Sequence, residues 1–259
     1  MKQRIYQIDA FTDTLFKGNY AAVCPLKEWL PEKTMQNIAA ENNLPETAFF
    51  TGSEGKYRIR WFTPENEIDL CGHATLASSF LIDTVLKDTS AVYEFSSMSG
   101  PLTVTRDSGV YYLDFPSRTG RLLPIPEGLE KALGVPVKFF LQSRDFMAVL
   151  DSEHNIKNLD PDLDLLEKIG IGTLIVTASG TSADFVSRFF APGFGIPEDP
   201  ATGSSHCTLI PYWAAELGKT VMTAEQVSER GGSFYCEDRG ERVKIGGRAV
   251  MYLEGSLCL

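Results

Sequence analysis

The fold is decided by one stretch of sequence, Phe190-Ala-Pro-Gly-Phe-Gly-Ile-Pro-Glu-Asp-Pro-Ala-Thr-Gly-Ser-Ser205, and by its counterpart in the first half, Phe62-Thr-Pro-Glu-Asn-Glu-Ile-Asp-Leu-Cys-Gly-His-Ala-Thr75. Each stretch begins with Phe-x-Pro, continues through a polar or acidic loop, and ends at a glycine followed by small or polar residues. A mostly apolar segment with the pattern of a buried helix comes after each glycine. Two copies of one supersecondary unit, one in each half, indicate a duplicated fold.

The flanking residues predict the same elements in both halves. Residues 57–62 alternate between apolar and polar, as in a strand. Residues 74–86 are apolar on nearly all sides, which is typical of a helix surrounded by protein. Residues 207–217 predict the second such helix, with Gly218 as its C-cap and with a kink or a later start at Pro211. The predicted class is α+β, with two pseudo-symmetric domains, each a curved, mostly antiparallel sheet wrapped around a central helix.

The predicted domain boundary lies in the middle of the chain. The 259 residues, 43% of them hydrophobic, are enough for two cores of about half the length each. A region rich in proline and glycine begins at residue 118. We therefore expect an N-terminal domain over residues 1–117 and a C-terminal domain over residues 118–259, with terminal strands that can cross between them.

Composition excludes several classes of function. The net charge is −10 and no cluster of Lys and Arg occurs, so a nucleic-acid partner is not expected. No apolar run is long enough to span a bilayer, and charge interrupts any signal peptide. Five cysteines without a Cys-x-x-Cys motif favour the reducing cytoplasm over a disulfide framework. The three histidines lack metal-ligand spacing and no nucleotide-binding fingerprint occurs, so neither a metal nor a cofactor is expected.

Two carboxylates are candidate catalytic residues. Glu46 follows Pro45 and precedes an apolar segment, where desolvation raises a carboxyl pKa toward the range that suits a general acid or base. Its alternative role is a turn carboxylate that caps a neighbouring amide. Asp199 lies in a turn flanked by prolines; its alternative role is to cap the amides of Thr202 or Gly203.

The starts of the two buried helices are candidate anion sites. The amides at Gly72 to Ala74 and at Gly203 to Ser205 would converge if the helix N-termini face each other, and would hold a carboxylate without any Lys or Arg. Ser204 and Ser205 are otherwise ordinary N-cap residues. The same field would stabilise an enolate, so the favoured chemistry is proton transfer at a carbon near a carboxylate.

His73 and Cys71 lie at the first of these helix starts. The positive helix end is expected to lower the pKa of His73 and keep its ring neutral; the alternative is a core histidine bonded to backbone. A racemase that uses two thiols needs a cysteine at the matching place in each half, and the place near Asp199 has none. Cys71 is therefore predicted to be a small apolar filler.

The chain resembles the phenazine-biosynthesis PhzF-like family. The matching motifs span both halves of the chain: Asp9-Ala-Phe-Thr12, Gly18-Asn19, Asn43-Leu-Pro-Glu-Thr-Ala-Phe49, Phe62-Thr-Pro64, Leu70-Cys-Gly-His-Ala-Thr75 and Glu198-Asp-Pro-Ala-Thr-Gly-Ser204. The resemblance implies a diaminopimelate-epimerase-like fold and a cofactor-free isomerase that is usually a homodimer. By position, Glu46 matches the family's catalytic acid/base, and His73, Asp199 and Ser204 match its supporting site residues.

The resemblance leaves the substrate open. In the family's founding activity the glutamate moves a proton between carbons of a dihydro-hydroxyanthranilate. Here Tyr20 stands where the family often has proline, and the tyrosine adds bulk near an expected cleft wall.

The leading hypothesis is an isomerase of a small carboxylated substrate. The alternatives are an amino-acid racemase or epimerase that uses Cys71 with Glu46 or Asp199, and a non-enzymatic protein that binds a metabolite or a protein partner.

Overall fold

The computed structural model describes residues 2–259. Its elements, in chain order, are β1 (Lys2–Ala10), β2 (Asn19–Pro25), α1 (Glu32–Asn42), β3 (Glu46–Ser53), β4 (Lys56–Phe62), β5 (Glu67–Ile68), α2 (Gly72–Thr84), β6 (Val92–Ser97), β7 (Gly100–Asp107), β8 (Val110–Pro116), β9 (Arg121–Leu123), α3 (Leu129–Leu133), β10 (Phe139–Gln142), β11 (Phe146–Val149), α4 (Glu153–Lys157), α5 (Leu163–Lys168), β12 (Leu174–Ser179), β13 (Phe185–Ala191), a 3-10 turn (Pro192–Phe194), β14 (Ile196–Asp199), α6 (His206–Leu217), β15 (Val221–Gln226), β16 (Gly232–Asp238), β17 (Arg242–Gly247) and β18 (Ala249–Cys258). None of the helices within residues 2–259 has the length and apolar character that crossing a bilayer requires.

The chain forms two compact units. The first contains the residues up to Asp114 together with Gly246–Leu259, and the second contains Phe115–Ile245. The C-terminal segment belongs to the first unit because β18 pairs with the whole of β1, from Lys2 opposite Cys258 to Ala10 opposite Ala249. The boundary between the two units thus lies a few residues before position 118, and the last strand, β18, belongs to the first unit.

In the first unit, helix α2 lies against strands β1, β2 and β3. Strand β1 pairs antiparallel with β2, β2 parallel with β3, β3 antiparallel with β4, and β4 parallel with β6. Because α2 is buried on nearly every side, its small polar residues are bonded internally: the hydroxyls of Ser78 and Ser79 donate to the carbonyls of Ala74 and Thr75. The apolar pattern of residues 74–86 therefore predicted a central helix correctly.

Strand β4 shows why this segment forms a half-buried strand. Tyr57, Ile59 and Trp61 are buried, whereas Lys56 and Arg58 are exposed, so the period of two in the sequence places apolar side chains on one face. Next to this strand, helix α1 covers a small hydrophobic core made of Cys24, Leu26, Met35, Ile38, Ala39, Phe49 and Phe62.

The second unit repeats the strand order of the first. Strand β11 pairs parallel with β12, β12 antiparallel with β13, and β13 parallel with β15. The short strand β14 pairs antiparallel with β13, as β5 pairs with β4, and each short strand is followed by the central helix of its unit. The duplication predicted from the two Phe-x-Pro stretches is confirmed, and the fold is α+β.

Helix α6 accommodates a proline in its interior. The helix spans His206–Leu217 and ends at Gly218, whose φ of +65° is the left-handed conformation of a C-cap, as predicted. A later helix start at Pro211 is wrong, because the helix runs through this residue. Proline has no N–H for the carbonyl of Cys207, and that carbonyl accepts a hydrogen bond of 2.9 Å from the Arg118 amide instead.

Candidate functional site

Glu46 is placed by the turn that joins α1 to β3. Helix α1 ends with Asn43 in the left-handed conformation, and Glu46 is the first residue of β3, opposite Ala21 of β2. The buried Thr47 hydroxyl accepts a hydrogen bond from Asn42, which ties the turn to the strand. The side chain of Glu46 is only 16% exposed, so its carboxylate is largely shielded from solvent.

His73 and Cys71 are placed by the first turn of α2. Cys71 is the N-cap residue in an extended conformation, and its carbonyl accepts from both the amide and the hydroxyl of Thr75. The amides of Gly72, His73 and Ala74 belong to the first turn, where a helix supplies no backbone acceptors of its own. The helix start therefore carries a thiol, an imidazole and a set of positive N–H dipoles within four residues, Cys71 to Ala74.

These two elements bring Glu46, Cys71 and His73 into one cluster. His73 Nε2 lies 2.9 Å from Glu46 Oε2, and Cys71 Sγ lies 3.6 Å from His73 Nδ1. One ligand atom from each residue falls within 4.8 Å of the others. Glu46 Oε2 is buried and makes no hydrogen bond of ordinary geometry within residues 2–259. The structure thus brings the predicted site residues Glu46 and His73 together and adds Cys71 to them. A role as an apolar filler does not explain the polar neighbours of Cys71.

The charges of this cluster are coupled. Burial alone lowers the pKa of His73, but the Cys71 sulfur and the Glu46 carboxylate outweigh it and raise the pKa well above its ordinary value. Burial, and then the Glu46 carboxylate, raise the pKa of the Cys71 thiol. The predicted direction of the His73 pKa shift, a lowering by the helix end, is wrong, because the Cys71 sulfur and the Glu46 carboxylate raise this pKa.

Asp199 lies in a tightly bonded loop of the second unit. Its Oδ2 accepts from the Thr202 hydroxyl, while the Thr202 amide donates to Gln226 Oε1 at 2.8 Å. Gln226 Nε2 in turn donates to the Asp199 carbonyl at 2.6 Å. Buried Gln226 therefore accepts from the Thr202 amide that Asp199 was expected to cap, while the alternative in which Asp199 caps the Gly203 amide stays a prediction.

Gln226 was missed from sequence although a signal was present. It ends strand β15, where Met222 and Ala224 are buried and the alternation places Gln226 on the same inward face. A buried amide side chain must find hydrogen-bond partners, so this position marks a polar loop packed against the strand.

The start of α6 uses its two serines in different ways. Ser205 is the N-cap residue, but its hydroxyl donates back to the Thr202 carbonyl instead of capping an amide, so the predicted capping role of that side chain is wrong. The hydroxyl of Ser204 accepts a hydrogen bond of 3.0 Å from Arg144 Nη2. Arg144 thus brings a positive charge to this helix start, which we expected to hold an anion by amides alone.

His206 has a structural environment. Its ring stacks on Phe234 with centroids 3.9 Å apart, and Nδ1 lies 3.0 Å from the Thr202 carbonyl. Burial lowers its pKa to about 4, so the ring is neutral at physiological pH. The two histidines at the helix starts therefore differ: His73 has a carboxylate partner and His206 has an aromatic one.

Each unit gathers its own predicted residues. Glu46, Gly72, His73 and Ala74 lie in the first unit, and the stretch from Asp199 to Ser205 lies in the second. The predicted convergence of the two helix starts stays a prediction.

Comparison with known proteins identifies a family. A family described as "Phenazine biosynthesis-like protein" matches residues 8–255. An uncharacterized isomerase of Pseudomonas aeruginosa is 47% identical over 259 residues, which cover all of both chains. The crystal structure of a PhzF-family phenazine biosynthesis protein of Enterococcus faecalis is also 47% identical, with a TM-score of 0.98 over all of both chains. A hydroxyproline epimerase of Agrobacterium vitis, 9% identical with a TM-score of 0.64 over 99% of this chain and 91% of its own, shares the fold alone.

Proposed function

Since the chain belongs to the phenazine biosynthesis-like PhzF family, and a relative is described as an uncharacterized isomerase, we propose that it moves a proton between carbons of a small carboxylated substrate without a cofactor. Glu46 is the proposed acid and base. The observation that carries this proposal is the buried pair of Glu46 and His73, with 2.9 Å between carboxylate and ring nitrogen. A carboxylate held inside a protein beside a titratable partner is typical of a site for proton transfer.

Substrate binding is assigned first to the start of α2. The amides of Gly72, His73 and Ala74 lie in the first turn, and the dipole of this 13-residue helix favours a negative charge there. A substrate carboxylate bound to these amides would place the adjacent carbon atoms near Glu46. With a net charge of −10 the chain offers an anion no long-range positive field, so the attraction has to be short-range.

The proton transfer then proceeds in two balanced steps. Glu46 removes a proton from one substrate carbon: the C–H bond breaks, an O–H bond forms, and the electron pair moves into the conjugated system next to the substrate carboxylate. Charged His73 and the helix amides offset the negative charge that develops. Glu46 then returns the proton to another carbon. Because no electrons are gained or lost, the reaction needs no redox cofactor.

Asp199, Gly203, Ser204 and Ser205 of the second unit are kept as proposed binding residues for polar groups such as an amine or a hydroxyl. Support comes from the loop that holds Asp199, which Gln226 fixes through two hydrogen bonds of 2.6 and 2.8 Å. A homodimer and a cytoplasmic location, expected from the resemblance and from cysteine usage, stay predictions.

Heavy water tests the proposed function directly. The full chain is incubated in D2O with a panel of small cyclic and amino-bearing carboxylic acids, including dihydroanthranilate-type acids, and the products are examined by mass spectrometry and NMR. We expect one substrate class to gain deuterium at a single carbon. Acids that bind, as shown by thermal shift, yet never gain deuterium would favour the non-enzymatic alternative.

A second candidate function is an amino-acid racemase or epimerase that uses Cys71. The observation in its favour is the position of Cys71 Sγ, 3.6 Å from His73 Nδ1 and in the same cluster as Glu46. Against it stands the raised pKa of the thiol, because burial and Glu46 both disfavour the thiolate that would act as base.

The Cys71→Ser variant separates the two candidates. We expect it to keep deuterium exchange within about tenfold of the wild type, because the carboxylate and not the thiol carries the proton. A racemase that depends on Cys71 would lose about 10²–10⁴-fold, the usual contribution of a general base. The assay is the initial rate of deuterium gain.

Cys24→Ser is the matched control for this experiment. Cys24 is another buried thiol of the first unit, with a pKa raised to about 12 by burial, and it lies in the core beneath α1. If only Cys71→Ser lost the exchange, the racemase mechanism would replace the one proposed.

A further inference from the structure

The cluster at the start of α2 has the donor set of a zinc site. Cys71 offers a sulfur, His73 an imidazole nitrogen and Glu46 a carboxylate oxygen, all within 4.8 Å of one another. Zinc is bound in proteins by these three kinds of ligand. The sulfur and the imidazole favour borderline-soft cations over Mg²⁺ or Ca²⁺, which prefer sites made of oxygen alone.

Two of the three ligand separations also lie near those around a single bound cation. Zinc–ligand bonds of 2.0–2.3 Å in tetrahedral geometry place ligand atoms about 3.3–3.6 Å apart. His73 Nε2 lies 2.9 Å from Glu46 Oε2 and 4.0 Å from Cys71 Sγ. Changes of about half an ångström in side-chain position bring both separations to the tetrahedral values.

Burial supplies a second, independent reason for a ligand. Cys71 and His73 are both buried, and Glu46 Oε2 is a buried oxygen without a hydrogen bond of ordinary geometry in the described part of the chain. A buried acceptor with unused lone pairs is costly unless something binds it. A divalent cation between the three side chains would satisfy this oxygen and the sulfur together.

We propose that Glu46, Cys71 and His73 bind one thiophilic divalent cation, with zinc preferred, through three protein ligands and one open position. Binding displaces the protons of His73 and Cys71, and the metal takes their place among the same atoms. Because the cation occupies the lone pairs of the proposed proton carrier, the zinc-loaded protein is the inhibited form. This consequence depends on the proposed function, whereas the binding itself does not.

Calorimetric titration of the full chain with zinc chloride, without any substrate, tests the site. We expect one zinc per chain and at least about tenfold weaker binding in both Cys71→Ser and Glu46→Gln, since even residues that merely support metal ligands change affinity by 10–100-fold. Cobalt(II) gives a second readout: the wild type should show a sulfur-to-cobalt charge-transfer band that Cys71→Ser lacks.

Cys258→Ser is the matched control, because Cys258 is the exposed thiol of the first unit. It should leave zinc stoichiometry, zinc affinity and the cobalt band unchanged. Equal affinity in wild type and Cys71→Ser, or loss of binding in Cys258→Ser, would overturn the proposal. The titration contains no substrate, so a failure to bind zinc would not contradict the proton-transfer proposal. In the same way, an absence of deuterium exchange would not contradict zinc binding.

Discussion

Replacing Glu46 by glutamine is expected to lower the rate of deuterium gain in the substrate by about a thousandfold, within the range of 10²–10⁴ that a general acid or base contributes. Glutamine keeps the size and polarity of the side chain but cannot accept a proton from carbon. The remaining machinery, His73 and the amides at the start of α2, would still bind the substrate. The expected signature is therefore a large loss in kcat with a small change in KM.

Glu41→Gln is the matched control for this variant. Glu41 is an exposed glutamate near the end of α1, five residues before Glu46, so the same chemical change occurs on the surface. It should leave the exchange rate unchanged. A Glu46→Gln variant that exchanges protons as fast as Glu41→Gln would remove Glu46 from the mechanism.

Replacing Arg188 by methionine is expected to lower the free energy of unfolding by about 3 kcal/mol, as for other ion pairs with little exposure that lose one partner. Arg188 is 13% exposed and makes a bidentate pair with Glu198 at 2.7 and 2.8 Å. Its third nitrogen donates to the carbonyls of Leu159 and Ile156. Methionine keeps most of the apolar stem of the side chain but leaves a carboxylate and two carbonyls without their donor.

The surface pair of Lys138 and Asp151 provides the control for this substitution. Both side chains are more than half exposed, so Lys138→Met should change the free energy of unfolding by less than about 1 kcal/mol. Urea denaturation followed by circular dichroism measures both variants. The account of Arg188 fails if the two variants are equally stable. The double variant Arg188→Met, Glu198→Met should be more stable than Arg188→Met alone, because the stranded carboxylate is gone.

The duplicated fold could be predicted from sequence because its signals are local and occur twice. The Phe-x-Pro starts, the glycines and the two helices that are apolar on nearly all sides lie within two stretches of about 25 residues. Each central helix appears where its apolar pattern predicts it, and α6 ends at Gly218. The later helix start expected at Pro211 is wrong because the Arg118 amide, far away in sequence, satisfies the carbonyl that the proline leaves free.

The chemistry of the site could be predicted only in part, because its contacts are non-local. Glu46 was identified as a candidate from its own turn, but its contact with His73 joins the start of β3 to the start of α2. The sign of the His73 pKa shift depends on Cys71, two residues away in sequence, and on the Glu46 contact, so the helix end alone predicted it wrongly. Arg144 at Ser204 is likewise a contact across 60 positions, for which the local sequence carries no signal.

A crystal structure of the full chain soaked with a dihydroanthranilate-type acid tests the central claim most directly, because it shows which atoms touch the reacting carbon. The account predicts a ring carbon about 3–3.5 Å from the Glu46 carboxylate, the distance of a reactive geometry, with the acid's carboxylate on the amides of Gly72 to Ala74. An acid bound elsewhere on the chain, with the Glu46 carboxylate still contacting only His73, would contradict it.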